Sequence, residues 1–290
     1  MTVLIISSTE DPAGTNIKKE LLQQLDWEEI DTFFNNPVYN SVTIKDLIMV
    51  SINDRTIFHE NIDKEVEEQL GLKPKQVIFI SRHSSKTGQP TLTTHPIGNY
   101  GKAKFGGNNE TLIPCSPRLM TQLLREIKKN STEAKLYHEV CFEVTHHGPF
   151  LSIPTLYTEV GSNEEEWNKS KPASIIAKSV VDLLSNFHYE ADLPKDIPVI
   201  VGIGGGHYAP RFTDVILEKN VAFGHMIPTY QIKAGNINEE IIKQAISKTP
   251  NAKGVYFHRK ALKKSQITHY KKICKENDIN VFSSKDFTDL

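Results

Sequence analysis

The chain has 290 residues and a formal charge of −1. That length holds one large α/β domain or two modest ones. The near-zero charge excludes the wholesale basic character of many nucleic-acid-binding proteins, so a polyanionic partner would need a local patch. Cys115, Cys141 and Cys274 are odd in number and lack metal-binding or redox spacing. That excludes a disulfide framework and points to a reducing compartment. No apolar run reaches membrane-spanning length, and residues 3–6 are too few for a signal h-region, so a soluble, cytoplasmic, monomeric protein is expected.

Residues 3–6 read as a first strand, followed by a helix over 16–25 with Ile17, Leu21, Leu22 and Leu25 as its apolar stripe. Residues 27–41 carry no recognisable motif. Residues 46–52 and 56–59 read as paired strands around an Asn53-Asp54 turn. A helix over 62–70 stops at Gly71, with Pro74 beyond it. A strand over 77–80 runs into His83, and a loop-like region rich in glycine and proline then extends to about Cys115. So long a loop is unusual in a compact domain unless it lines a site or holds small β elements, and it is expected to form part of the active-site wall. A helix over 117–129, a strand over 140–145 and a strand over 155–160 follow. Ser162 begins an N-cap pattern with Glu165, opening a helix broken near Pro172. The βα alternation runs on to a short strand over 280–282, without an internal repeat or a long linker. The expectation is one α/β domain over residues 1–290, a three-layer fold on a mixed sheet with a long site-lining loop region.

The apolar run 197–203 opens into Gly204-Gly205-Gly206-His207, with Arg211 shortly after. Glycines permit positive φ and close approach, so consecutive N–H groups could form an anion nest; the spacing matches neither the dinucleotide fingerprint nor the P-loop. Histidine recurs at the ends of other apolar runs, as His83, His146-His147, His225 and His258, and His95 lies in the loop region. In open α/β sheets ligands bind outside the carboxyl ends of strands, so these histidines would converge on one crevice. Adjacent strand residues point to opposite faces, so His146 and His147 can share the crevice only if the strand has ended; His147 is the preferred member.

His83, His95, His147, His207 and His225, with Glu159, form a donor set suited to zinc. Zinc would acidify a bound water and polarise an ester or amide carbonyl, with the glycine N–H groups facing the oxyanion. Without metal, His83, His147 and His207 could serve as general acid and base. Arg259, Lys260, Lys263, Lys264, Lys271 and Lys272 crowd one C-terminal stretch that suits a helix, a pattern that by default is a solvated face.

Together, several blocks resemble the D-aminoacyl-tRNA deacylases of the archaeal and plant type. They are Ser81-Arg82-His83-Ser84, Thr94-His95-Pro96 with Gly98-Asn99, and His146-His147-Gly148-Pro149. Thr158-Glu159-Val160-Gly161-Ser162, the run Gly202 through Arg211, and Gly224-His225 continue the likeness in the expected order. The resemblance implies hydrolysis of the ester between a D-amino acid and the terminal ribose of tRNA, dependence on zinc, and a fold similar to phosphorylase/hydrolase-like α/β proteins. From the motifs themselves His95, His147, Glu159, His207 and His225 are expected as metal ligands, with His83, His147, His207 and Arg211 catalytic. Gly204, Gly205 and Gly206 would bind the oxyanion, Arg82 or Arg211 a terminal phosphate or else a carboxylate partner, and Lys263 and Lys264 the acceptor stem. Three rivals stand beside this reading: a zinc amidohydrolase or peptidase acting on a small acyl-amino acid, a nucleoside phosphorylase-like enzyme, and a non-catalytic RNA-binding module. The last lacks an aromatic platform in sequence.

Overall fold

A computed structural model describes residues 2–187 and 193–290. Its strands are β1 (Thr2–Ser8), β2 (Trp27–Phe33), β3 (Asn36–Ser41), β4 (Leu47–Ile52), β5 (Pro74–Ser84), β6 (Thr91–His95), β7 (Glu139–Phe142), β8 (Thr155–Ser162), β9 (Val199–Ile203), β10 (Ala222–Ile227), β11 (Ala252–Phe257) and β12 (Asn280–Phe282). The helices are α1 (Pro12–Gln24), α2 (Ile62–Leu70), α3 (Pro117–Glu133), α4 (Glu164–Trp167), α5 (Ser170–Asn186), α6 (Pro210–Glu218), α7 (Thr229–Lys233), α8 (Glu239–Ser247) and α9 (Lys264–Glu276). The first eight strands form a mixed sheet in the order β2-β3-β4-β1-β5-β8-β6-β7, and the last four a parallel sheet in the order β10-β9-β11-β12. The α/β class and the mixed sheet agree with the sequence reading, whereas the division into two sheets goes beyond it.

Period-two alternation decides which side chains meet on each face. Ile5, Ile78 and Ile80 bury against Ile17 and Leu21 of α1, Leu124 of α3 and Ile176 and Val180 of α5. Leu4, Ile6, Val77 and Phe79 point the other way, against Ile62 and Val66 of α2. Phe212 and Val215 of α6 join the first cluster, while Val201, Ile203 and Val255 pack on the opposite side with Ile241 of α8 and Ile273 of α9.

The two sheets are stitched where β7 ends. Glu143 N donates to Thr94 O at 3.1 Å, Val144 N to His207 O at 3.0 Å, Thr145 N to Met226 O at 3.1 Å and Ala209 N to Phe142 O at 2.9 Å. Residues 142–145 therefore have one edge on the large sheet and one on the small sheet.

Several local expectations need correction. Residues 56–58 form a 3-10 turn rather than the second strand of a hairpin. β4 pairs instead with β3, which is antiparallel to β2, in the stretch where no motif was visible. Its edge strand β2 is exposed at Glu28 through Thr32, so the apolar alternation that reveals a strand is missing. α1 begins four residues before the predicted start, because Asp11 caps it by accepting from Gly14 N at 2.9 Å. Asn163, not Ser162, caps α4, accepting from Glu166 N at 3.1 Å. The break expected near Pro172 falls at residues 168–169, and the proline is accommodated in the first turn of α5.

Candidate functional site

Along one face of β5 the chain reads Val77, Phe79, Ser81, His83, and along the same face of the neighbouring β8 it reads Tyr157, Glu159, Gly161. The face that is apolar core at one end thus turns polar toward the strands' carboxyl ends. β6 runs antiparallel to β8 and ends at His95, opposite Tyr157, and the Tyr157 ring lies between Phe79 and His95, stacked on both. Gly161 is needed here: a Cβ would lie 2.4 Å from Thr91 Oγ1 and 3.0 Å from His83 Cδ2.

Glu143 is the hub. It is fully buried, and its Oε2 lies 2.8 Å from His207 Nε2, 3.1 Å from His83 Nδ1 and 3.5 Å from His146 Nε2. Glu159 Oε2 lies 3.6 Å from both His83 Nδ1 and His95 Nε2. These approaches are short but poorly aligned. Both Glu143 oxygens and His95 Nε2 have no hydrogen-bond partner despite their burial, a costly state unless something else satisfies them.

The imidazoles are oriented by backbone. Nδ1 of His95 meets Pro96 O at 3.1 Å, that of His146 meets Val144 O at 2.8 Å, and that of His147 meets Gly148 O at 2.5 Å. A carbonyl accepts only from N–H, so each ring carries a proton on Nδ1 and turns Nε2 into the cluster; the Glu159 carboxylate beside His95 raises the pKa of that ring. His147 adopts φ +47°, in the left-handed region. With β7 ended at Phe142, the chain curls enough that His146 joins the cluster along with the preferred His147. His83 Nε2 meets Tyr208 Oη at 3.0 Å, leaving Nδ1 toward the carboxylates.

Burial lowers the His147 pKa to about 4, helped by the charge of His95, and holds His146 well below its ordinary value. For His83 burial acts the same way, but Glu143 and Glu159 outweigh it and push the value up to about 11. Burial would raise Glu143 and Glu159, yet the surrounding imidazoles hold both carboxyls below the usual range. Anionic carboxylates, the neutral rings of His146 and His147, and His83 and His95, whose pKa values those carboxylates raise, therefore converge. Ligand atoms of His95, His146 and His147 lie within 4.8 Å of one another, as do those of His83, Glu143 and His207, and those of His95, Glu143 and Glu159. This donor set fits a divalent metal such as zinc, whose charge would satisfy the orphaned atoms.

The cluster opens into a cavity of about 780 Å³, bordered by Asp11, Arg82 and the loop carrying Lys102, Lys104 and Phe105. The long loop region thus lines the site. Arg82 is at the wall, its guanidinium 5.2 Å from the Trp167 ring centroid. The structure brings together His83, His95, His147, Glu159 and His207.

Other predicted residues lie elsewhere. His225 is not placed as a ligand: its Nδ1 meets Thr145 Oγ1 at 3.1 Å and its Nε2 meets Ile113 O at 2.9 Å, so both nitrogens are occupied. Arg211 binds Tyr256 Oη and Ser284 Oγ, which turns it into a clamp on the small sheet. Gly204 N donates to Ile227 O and Gly205 N to Thr229 Oγ1, so those two are not open to an oxyanion. Among the described residues, no acceptor engages Gly206 N–H. Lys263 and Lys264 begin α9, away from the cavity wall. Sequence reasoning missed Glu143, although a lone carboxylate inside the apolar run 140–144 was a visible signal. Tyr208 was passed over beside His207.

Similarity to known proteins agrees with this geometry. Residues 70–282 match the family model described as D-aminoacyl-tRNA deacylase. The chain belongs to that family. A D-aminoacyl-tRNA deacylase of Thermococcus onnurineus is 39% identical over 248 residues, covering 85% of this chain and 86% of the relative. One from Methanosarcina acetivorans is 35% identical over 289 residues, covering 98% and 93%. A crystal structure of a conserved protein of unknown function superposes with a TM-score of 0.87 at 30% identity, covering 99% of this chain and 98% of that one. The site residues from His83 to His207 all fall inside the family match. No helix among the described residues is long and apolar enough to cross a membrane.

Proposed function

We propose that this chain hydrolyses the ester joining a D-amino acid to the terminal ribose of tRNA, using zinc held by the histidine–carboxylate cluster. The observation that carries the metal is the set of three imidazoles with carbonyl-locked Nδ1 and Nε2 turned inward, beside orphaned buried carboxylate oxygens. His95, His146 and His147 make one ligand set, and His83, Glu143 and His207 another that shares no member with it. His95, Glu143 and Glu159 lie between them, which suits a pair of ions. Bound zinc supplies Lewis acidity toward the ester carbonyl and lowers the pKa of a water to about 7.

The chain's own groups do the rest. Tyr208 Oη accepts from His83 Nε2 and fixes that ring, and Gly206 N–H meets the oxyanion. Glu143 and Glu159 keep the site anionic, and the walls around Tyr157 exclude water from the buried side. Arg82 meets a phosphate at the cavity edge. The cytoplasm, where aminoacyl-tRNA is made and used, is the matching compartment.

Release of amino acid from D-tyrosyl-tRNA and L-tyrosyl-tRNA, measured in parallel before and after chelation, tests both parts. Selective D-release that is abolished by chelator and restored by zinc is expected. D-release indifferent to chelator, from protein retaining no metal, removes the zinc and leaves histidine acid–base chemistry. No release by folded, metal-replete protein removes the deacylase reading.

A further inference from the structure

The rim of the cavity carries side chains that the ester chemistry does not use. Phe105 is 59% exposed, and Lys102 and Lys104 beside it are also exposed, all three at the edge of the cavity. A single exposed aromatic is ordinary; this one stands on a backbone fixed from three directions. Phe105 O accepts from Gly148 N at 2.9 Å, Gly107 N donates to Glu60 Oε1 at 2.6 Å, and Asn99 Nδ2 donates to Gly106 O at 2.8 Å. Gly106, at φ +72°, sits so close to Ile57 that a Cβ would lie 1.6 Å from its carbonyl oxygen. Gly148 directly follows His147, so the exposed ring is held in register with the cluster itself.

We infer that this rim is a platform for the unpaired 3′ end of the tRNA, with Phe105 stacking on a terminal base and Lys102 and Lys104 meeting the adjoining phosphates. The inference rests on the deacylase reading, because that substrate places a base and phosphates beside the labile ester. Charge complementarity favours this occupant over an apolar peptide. The chain as a whole carries a charge of −1, yet at this mouth two ammonium groups flank the exposed Phe105 ring. A base offers a π-face and its backbone offers anions, which together are what such a rim recognises. Phe105 is a positioning residue: it holds the nucleotide and leaves the reacting bond to the cluster.

The test is steady-state hydrolysis of D-tyrosyl-tRNA by zinc-loaded wild type, Phe105→Ala, Phe105→Trp and the double variant Lys102→Ala/Lys104→Ala, with binding of an unacylated RNA oligonucleotide ending in CCA. Phe105→Ala is expected to raise KM roughly tenfold with kcat within about twofold, and Phe105→Trp to restore it. The double lysine variant is expected to flatten the dependence of log KM on log salt by roughly 0.7 per lost phosphate contact. Since all three side chains point to solvent, unchanged melting temperatures are expected. A Phe105→Ala enzyme with wild-type KM and wild-type oligonucleotide affinity overturns the platform while leaving the deacylase reading intact. Wild-type protein that releases no D-tyrosine overturns that reading, and the platform then stands or falls on whether Phe105→Ala weakens oligonucleotide binding.

Discussion

At the scale of single residues, histidines of equal appearance in sequence divide by where their two ring nitrogens point. His95, His146 and His147 spend Nδ1 on a backbone carbonyl and turn Nε2 into the cluster, whereas His225 spends both on the scaffold. His225 is therefore a structural pin between β10, Thr145 and Ile113, and its titration becomes a stability statement. Burial holds its pKa at about 4, against an ordinary value of 6.5. Below pH 6.5 the unfolded chain takes up a proton that folded His225 refuses until about pH 4. The stability it contributes is complete above the unfolded pKa and is lost as pH falls across that window, by about 3 kcal/mol in all. Urea melts of wild type and His225→Gln should show a shallower fall between those pH values in the variant. Parallel curves would mean that His225 protonates freely in the folded protein.

At the scale of elements, the site is built by strand alternation continued past the core. β5 and β8 present Phe79 and Tyr157, then Ser81 and Glu159, then His83 and Gly161, on one face. Gly161 makes room for the His83 ring, and its replacement by alanine must displace either His83 or the Thr91 side chain. Such overpacking costs typically 1–3 kcal/mol, about what a folded domain tolerates, whereas misplacing a reacting group by about 1 Å can cost 10²-fold in rate. Gly161→Ala should therefore lose activity on the order of tenfold or more while its melting temperature drops only modestly. Wild-type activity in that variant would show that the His83 position is not critical. The sequence revealed β5, α2, β8 and β12 because each has a clear apolar period or a clear stop. It hid β2, whose outer positions are charged, and it made a strand of 56–59, where a 3-10 turn buries only Thr56.

At the scale of the whole molecule, the donor groups come from both sheets. His83, His95 and Glu159 belong to the large sheet, Glu143, His146 and His147 to the seam, and His207 to the loop after β9 in the small sheet. A metal there would tie the two sheets together and bind only the folded chain. Adding zinc to chelator-treated protein is accordingly expected to raise the melting temperature, with a gain of about 2.7 kcal/mol when free zinc reaches roughly one hundred times its Kd. The gain should shrink as pH falls, because protons compete for the imidazoles and carboxylates. Differential scanning calorimetry across pH checks both, and a melting temperature indifferent to zinc would rule out a structural hold by the metal.

What the sequence determined by itself was the α/β class, most strand and helix positions, the family likeness and the gathering of histidines at strand ends. All of these are written in local period, in turn residues or in short ordered motifs. Only the tertiary structure decided that Glu143 is the hub, that His225 and Arg211 serve the scaffold, and that two of the three glycine N–H groups are occupied. Whether a polar group is a ligand or a strut depends on which distant atom reaches it first. For Glu143 those atoms lie on His83 and His207, far away in the chain and brought close by the seam between two sheets.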